Sequence, residues 1–193
     1  MEEHLDTRER IQRLESEERL KKLRPNELIK DLAGVTRGMT CVDLGCGTGT
    51  LSFPMVVSVG DQGIVYAVDN SAEMLEYIRA KNPPKNLKLV QCDASQTGLS
   101  SQIADSCLMA LVLHDIEQPE RVMAEAFRLL KPQGKAVVIE LREDFDSPHH
   151  SRDKRIGREH VEQLFKQGGF SCFEYTNWSK SQYVATGIKS ESA

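Results

Sequence analysis

The sequence contains no long hydrophobic run. Its longest apolar stretch, at 107–113, has seven residues, whereas a helix that crosses a bilayer needs about 20. The first 25 residues alternate acids and bases, and they include no apolar stretch that could act as a signal peptide. The sequence therefore predicts no membrane span and a cytoplasmic location.

A basic excess and paired cysteines are also missing. The 25 lysines and arginines are outnumbered by 29 aspartates and glutamates, which gives a net charge of −4, opposite in sign to a nucleic-acid-binding protein. The five cysteines include no C-x-x-C pair of the kind that binds zinc or does redox chemistry. We therefore expect neither a nucleic-acid partner nor a cysteine metal site.

The 193 residues suffice for one domain, and 39% hydrophobic with 28% charged residues is an ordinary globular composition. Residues 6–23 are highly charged and carry only a thin apolar stripe, which is typical of a peripheral helix. That stripe consists of Ile11, Leu14, Leu20 and Leu23. The predicted boundaries are a charged helical N-terminal arm at 1–24 and one domain at 25–193.

From residue 40 onward, predicted strands alternate with helices. The strands are at 40–44, 63–69, 87–92, 104–113, 135–141, 170–176 and 182–187. A short helix at 26–33 precedes them, and helices at 50–58, 71–81, 119–130 and 158–167 lie between them. The last two strands have no helix between them, so they form an antiparallel hairpin. This alternation is typical of an α/β, doubly wound sheet.

A glycine-rich turn leaves the first predicted strand and enters a helix. Its glycines recur at every second position, in the order Gly45-Cys46-Gly47-Thr48-Gly49, rather than in the G-x-G-x-x-G spacing of dinucleotide enzymes. Dense glycines let the backbone approach a ligand closely, because no Cβ intervenes. In a doubly wound sheet this turn faces the ligand cleft. The turn therefore predicts a bulky ligand other than a dinucleotide.

Three consecutive predicted strands end in or close to an acid. Asp43 lies just before the glycine turn, Asp69 ends the second strand and Asp93 follows the third. A carboxylate before the turn would repel phosphates and attract a cation such as an ammonium group. An acid at the end of the second strand can accept both hydroxyls of a ribose. The alternative for Asp43 is a solvated acid at the end of a strand, but three acids at one edge of the sheet together indicate a functional site.

These segments resemble the successive motifs of class I S-adenosylmethionine-dependent methyltransferases. The motifs are Val42-Asp-Leu-Gly-Cys-Gly-Thr-Gly49, Val68-Asp-Asn-Ser-Ala-Glu-Met-Leu75, Gln91-Cys-Asp-Ala94, Leu113-His-Asp115 and Phe127-Arg-Leu-Leu-Lys-Pro-Gln-Gly134. Their order and spacing are most similar to those of the ubiquinone and menaquinone biosynthesis C-methyltransferases. The resemblance covers about residues 25–188. It implies a Rossmann-like sheet of seven strands in the order 3-2-1-4-5-7-6, with the seventh antiparallel.

The resemblance also implies the cofactor contacts. Gly45, Gly47 and Gly49, with Cys46 and Thr48 between them, would pack against the methionine moiety of S-adenosylmethionine. The sulfonium would lie above Leu111, and Asp43 would lie near the ammonium. The ribose hydroxyls would bind Asp69. The residues implied beside the adenine are Asn70, Met74, Asp93 and Ala94.

His114 follows the fourth predicted strand and is the candidate catalytic residue. At that position a histidine could take a proton from an acceptor hydroxyl or acidic carbon. The alternative is a histidine that caps the strand or bonds Asp115.

An Asn-Pro-Pro-aromatic motif, which marks methyltransferases acting on amine or amide nitrogens, is absent after the fourth predicted strand. Its look-alike, Asn82-Pro83-Pro84-Lys85, lies after a helix and lacks the aromatic residue, so a loop is predicted.

Two other groups of side chains are candidates for a site. One could bind a metal, but it lies in a polar connection without a helical register, so solvated side chains are predicted. It consists of Asp144, Asp146, His149 and His150. The second could line a substrate pocket or belong to the core near the final strands. It consists of Tyr175, Trp178 and Tyr183.

Three functions remain open at this point. The leading hypothesis is an enzyme that transfers a methyl group from S-adenosylmethionine to a small-molecule acceptor and releases S-adenosylhomocysteine. The alternatives are a nucleotide-dependent oxidoreductase and a non-catalytic module that binds S-adenosylmethionine. The sequence identifies neither the acceptor nor the oligomeric state.

Overall fold

The computed structural model describes residues 6–145 and 155–191, and its centre is a sheet of seven strands. The strands are β1 (Thr40–Leu44), β2 (Ile64–Asp69), β3 (Leu87–Gln91), β4 (Ala104–Ala110), β5 (Leu130–Leu141), β6 (Phe170–Asn177) and β7 (Gln182–Lys189). Their order is β3-β2-β1-β4-β5-β7-β6, and β7 runs antiparallel to both of its neighbours. The predicted doubly wound α/β fold and strand order are confirmed.

Helices cover both faces of the sheet. They are α1 (Thr7–Leu14), α2 (Glu17–Leu23), α3 (Pro25–Glu27), α4 (Ser52–Val59), α5 (Ala72–Ala80), α6 (Pro119–Leu129) and α7 (Arg158–Gln167). Buried side chains of β5 alternate between the two faces: Val138 packs in the core beneath α6 and α7, and Val137 in the core beneath α4 and α5. This alternation explains why the central strands are apolar at nearly every position.

The fourth strand is shorter than predicted. It ends at Ala110 rather than at residue 113, and Leu111 has a left-handed backbone with φ +57°. The chain then forms a 3₁₀ turn at Leu113–Asp115. Apolar residues continue past the strand, so periodicity alone could not locate its end. Because β4 ends earlier than predicted, His114 lies on a separate turn and does not continue the strand.

The N-terminal segment forms two helices rather than one. Ser16 interrupts it and caps α2, its hydroxyl accepting a hydrogen bond from the Arg19 N–H at 3.3 Å. No residue of α1 is buried, whereas Leu23 at the end of α2 is fully buried. The predicted helix at 26–33 is α3 followed by a π-helical turn at Leu28–Leu32. Within the ranges that the structure describes, no helix combines the length and apolar composition needed to cross a bilayer.

Candidate functional site

The carboxyl ends of β1, β2 and β3 and the segment after β4 surround one cavity, which is partly open to solvent. Ten of the predicted cofactor residues line it. They are Asp43, Gly45, Cys46, Gly47, Thr48, Asp69, Asn70, Asp93, Ala94 and Leu111. The parallel strands bring these residues together because their carboxyl ends meet at one edge of the sheet.

The glycine turn is held against the end of β2. The N–H groups of Gly45 and Cys46 both donate to the Val68 carbonyl, at 2.8 and 2.9 Å. Gly45 has φ +74°, and a Cβ added there would lie 2.5 Å from a methyl carbon of Val112. A side chain is therefore excluded at Gly45 by both backbone conformation and space. The turn exposes its backbone to the cavity as a result.

Asp69 links the glycine turn to α5. One carboxylate oxygen accepts the Gly47 N–H at 2.8 Å, and the other accepts the Ser71 N–H at 2.9 Å. Each oxygen keeps a second lone pair for a ligand. The same carboxylate can thus hold the turn in place and accept hydrogen bonds from a diol.

Asp43 is buried at the end of β1, with 2% of its surface exposed. The Ser52 hydroxyl donates to its carboxylate at 2.6 Å. Burial raises the pKa of Asp43 to about 6, although this hydrogen bond acts in the opposite direction. At neutral pH the group is therefore largely charged, and a ligand cation nearby would stabilise that charge.

Asp93 has a different environment, because it is exposed beyond the end of β3. Its carboxylate accepts the Ser95 N–H at 2.7 Å, and the hydrogen bonds from Ser95 lower its pKa.

Gly49 and Met74 are not part of the cavity lining. A Cβ at Gly49 would contact Phe53 and Ile78, and Met74 is 1% exposed.

His114 lies beside the cavity rather than in its wall. Its ring Nδ1 is 2.7 Å from a Glu140 carboxylate oxygen, and its Nε2 is 3.5 Å from Asp115. The other Glu140 oxygen accepts the N–H groups of Leu113 and His114, at 2.9 and 3.3 Å. The contact with Asp115 agrees with the hypothesis of a structural histidine. His114 also lines a second cavity, which agrees with the hypothesis of a catalytic base.

This second cavity adjoins the first, and the two share Asp115 and Ile116 in their linings. Apolar and titratable side chains are mixed around it. The remaining lining residues are Leu113, His114, Glu117, Pro119, Arg155, Ile156 and His160. Glu140 and this neighbouring cavity were not singled out from the sequence. An acid near the end of the fifth strand was the only available signal.

The N-terminal helices cover the first cavity, as expected for a peripheral arm, but the sequence did not indicate which of their residues line it. Arg10, Leu14 and Arg19 line it, and a Cβ added to Gly47 would lie 3.4 Å from a Leu14 methyl carbon. Arg19 donates from Nη1 to the Leu14 carbonyl at 3.1 Å and to the Thr50 hydroxyl at 3.4 Å. Burial lowers the pKa of Arg19 to about 10, so the group stays charged at neutral pH.

The remaining sequence candidates lie elsewhere. Asp144 is exposed and paired with Arg142, while Asp146, His149 and His150 fall outside the described residues. Tyr183 is fully buried, and its hydroxyl donates to the Ile156 carbonyl at 2.6 Å. Tyr175 stacks on Tyr183 at 4.7 Å between ring centres. The indole N–H of Trp178 donates to the Leu23 carbonyl at 2.9 Å, which anchors the end of α2.

Known proteins resemble this chain in sequence. Residues 35–183 match a family model described as "Methyltransferase domain". The 2-phytyl-1,4-naphtoquinone methyltransferase of Trichormus variabilis is 28% identical over 135 residues, 68% of this chain and 57% of that protein. The demethylmenaquinone methyltransferase of Lactobacillus johnsonii is 33% identical over 110 residues, 55% of this chain and 45% of that protein. The chain thus spans about half the length of these curated relatives.

A solved structure resembles the whole fold. It is the crystal structure of a SAM-dependent methyltransferase from Aquifex aeolicus, with a TM-score of 0.87 and 22% sequence identity. The alignment covers 96% of this chain and 99% of that one. At this identity the likeness establishes the fold alone.

Proposed function

The chain belongs to the methyltransferase domain family, and we propose that it transfers a methyl group from S-adenosylmethionine to a small phenolic acceptor of the quinol type. The observation that carries the proposal is the cavity in which the glycine turn and the carboxylates of Asp43, Asp69 and Asp93 meet. Its curated relatives with quinone-derived names support the acceptor class.

The cavity residues fit this cofactor. S-adenosylmethionine has a sulfonium, an ammonium and a carboxylate at one end and a ribose with an adenine at the other. Asp43 would face the cationic end, Asp69 the ribose hydroxyls and Asp93 the adenine amine. The turn at Gly45 and Gly47 leaves open the space that side chains would fill. When bound, the cofactor supplies a methyl group already activated by the sulfonium.

The protein's task in such a transfer is alignment and exclusion of water, because the methyl group needs no further activation. Leu111 and Val112 would form an apolar wall around the transfer path, and both line the cavity. The acceptor would occupy the second cavity, which joins the first at Asp115 and Ile116. This arrangement would place the acceptor next to His114.

His114 would act as a general base. In the tautomer in which Nδ1–H donates to the Glu140 carboxylate, Nε2 is the basic nitrogen. Nε2 would take the phenolic proton, and the electron pair would flow through the ring to the carbon that attacks the methyl group. The ring carbon would displace the methyl group from sulfur, which would keep the electron pair of the broken S–CH₃ bond. The ring carbon would then lose its own proton to water, and the electron pair would return to the ring and its oxygen. Asp115 and Glu140 would stabilise the imidazolium.

Two measurements test this function. We expect calorimetry to detect binding of S-adenosylhomocysteine, and mass spectrometry to detect one added methyl group on a reduced short-chain naphthoquinol incubated with S-adenosylmethionine. Tighter binding of NAD than of S-adenosylhomocysteine would instead favour the oxidoreductase hypothesis. Binding without transfer to any phenolic acceptor would favour the non-catalytic module.

A cytoplasmic location and the lack of a nucleic-acid partner remain predictions. The acidic net charge supports the lack of a nucleic-acid partner.

A further inference from the structure

The N-terminal arm, defined here as α1 and α2 at residues 7–23, brings a charged group into the cofactor cavity. Arg19 lines the cavity and uses one guanidinium nitrogen, Nη1, for a carbonyl and a hydroxyl. Both partners are neutral, and no carboxylate among the described residues forms an ion pair with Arg19. A guanidinium has five N–H donors, so most of its hydrogen-bonding capacity remains for another acceptor.

The charged groups that face Arg19 are Asp43, Glu15 and Arg13. Asp43 already accepts a hydrogen bond from Ser52, and Glu15 pairs with Lys81 at 3.1 Å. Arg13 has the same sign as Arg19 and opposes its charge. The cavity therefore offers a partly buried cation whose nearby acids are engaged elsewhere, an arrangement that favours a ligand anion.

We propose that Arg19 binds the α-carboxylate of the cofactor's methionine moiety, and that the arm closes over the cofactor through this contact. The inference rests on the proposed function, because S-adenosylmethionine is the ligand that brings a carboxylate next to the glycine turn. A planar guanidinium pairs with a carboxylate through two parallel hydrogen bonds, which a single ammonium cannot reproduce. Asp43 would face the ammonium of the same amino-acid group.

The arm is attached so that it can carry Arg19 to the ligand. Its carboxyl end is anchored: the Leu23 carbonyl accepts the indole N–H of Trp178, and the Arg24 guanidinium stacks 3.7 Å from the centre of that ring. Its amino-terminal helix has no buried residue. A segment fixed at one end and lightly packed at the other can order when a ligand supplies a new contact.

The test compares two ligands that differ only in the carboxylate. Calorimetry would measure S-adenosylhomocysteine and its decarboxylated form, with methylthioadenosine as a reference that lacks the whole amino-acid group. We expect Arg19→Ala to weaken S-adenosylhomocysteine about ten- to a hundredfold and the other two ligands less than about twofold. Arg19→Lys should restore only part of the loss. The matched control is Lys21→Ala, which removes an exposed cation from the same helix.

Other results would overturn either the role of Arg19 or the proposed function. Equal weakening of all three ligands by Arg19→Ala and by Arg19→Gln, which keeps more of the side-chain packing, would overturn the inference and give Arg19 a structural role. Unchanged affinity for S-adenosylhomocysteine in both variants would overturn it as well. Failure of the unmodified protein to bind any of the three ligands would overturn the proposed function, and the inference with it.

Discussion

The two sides of the cofactor cavity are built in different ways. The sheet side consists of strand ends whose acids are fixed by short hydrogen bonds, such as the 2.6 Å contact between Ser52 and Asp43. The arm side consists of two short helices, of which α1 buries no residue. A ligand therefore meets a preformed surface on one side and a weakly held one on the other. This difference predicts that substitutions on the sheet side lower folding stability more than substitutions in the arm.

The largest effect is expected at the glycine turn. Gly45→Ala should lower the free energy of unfolding by about 2–4 kcal/mol, because Ala meets both a left-handed backbone and the Val112 side chain. The control is Gly98→Ala, at φ +71° with no atom within 4 Å of an added Cβ, which isolates the backbone cost. Chemical denaturation measures both. Equal losses in the two variants would mean that the contact with Val112 contributes nothing.

The next effect concerns the acceptor side. His114→Ala should lower the single-turnover methylation rate about a hundredfold while leaving cofactor affinity nearly unchanged, since a general base typically contributes ~10²–10⁴-fold. Glu140→Gln should lower the rate less and alter its pH profile, because Glu140 acts through the His114 ring. A normal rate in His114→Ala would remove this residue from the mechanism and leave alignment alone.

Asp69 tests the sheet side directly. Asp69→Ala should weaken S-adenosylhomocysteine about ten- to a hundredfold, because a charged acceptor for hydroxyl groups is lost and Gly47 loses its partner. Asp144→Ala serves as the control, since that acid is exposed and paired with Arg142. Calorimetry would compare the two variants. Equal affinities would place the ribose elsewhere.

A smaller effect is expected from pH. Burial raises the pKa of Asp43 above its value in the unfolded chain, so ionisation of Asp43 lowers folding stability progressively as pH rises from about 4 to about 6. Binding has the opposite sign, because the ligand ammonium requires the charged form. Affinity for S-adenosylhomocysteine should fall about tenfold from pH 7 to pH 5. Asp43→Asn should remove most of this dependence, and calorimetry at several pH values measures it.

The smallest effect is expected for the packing of α1. Hydrogen exchange should show weak protection of residues 6–22 without ligand and stronger protection with S-adenosylhomocysteine, since few apolar contacts hold α1. Lys81→Ala, which removes the ion pair to Glu15, should accelerate exchange only slightly because exposed ion pairs contribute little. Strong protection of the arm in the ligand-free protein would contradict the comparison between the two sides.

The sequence could predict the cavity residues on the sheet side but not those in the arm. Asp43, Asp69 and Gly45 could be assigned to one cavity from the sequence, because each is tied to a strand end and parallel strands end at one edge. Arg19 could not be assigned, because its position depends on the break between α1 and α2 at Ser16 and on the anchor at Trp178, far away in sequence. From the sequence alone, a charged helix residue that faces a ligand cannot be distinguished from one that faces solvent.

By itself, the sequence determined the doubly wound fold, the strand order through its family resemblance, and the acidic sheet edge behind the glycine turn. The fold class and the acidic edge follow from local periodicity, turn chemistry and the geometry of parallel strands, whereas the strand order is implied only by the family resemblance. Only the tertiary structure decided that β4 stops at Ala110, that Glu140 holds the His114 ring, and that the arm places Arg19 in the cavity. Each of these depends on contacts between segments distant in the chain, which no local pattern encodes.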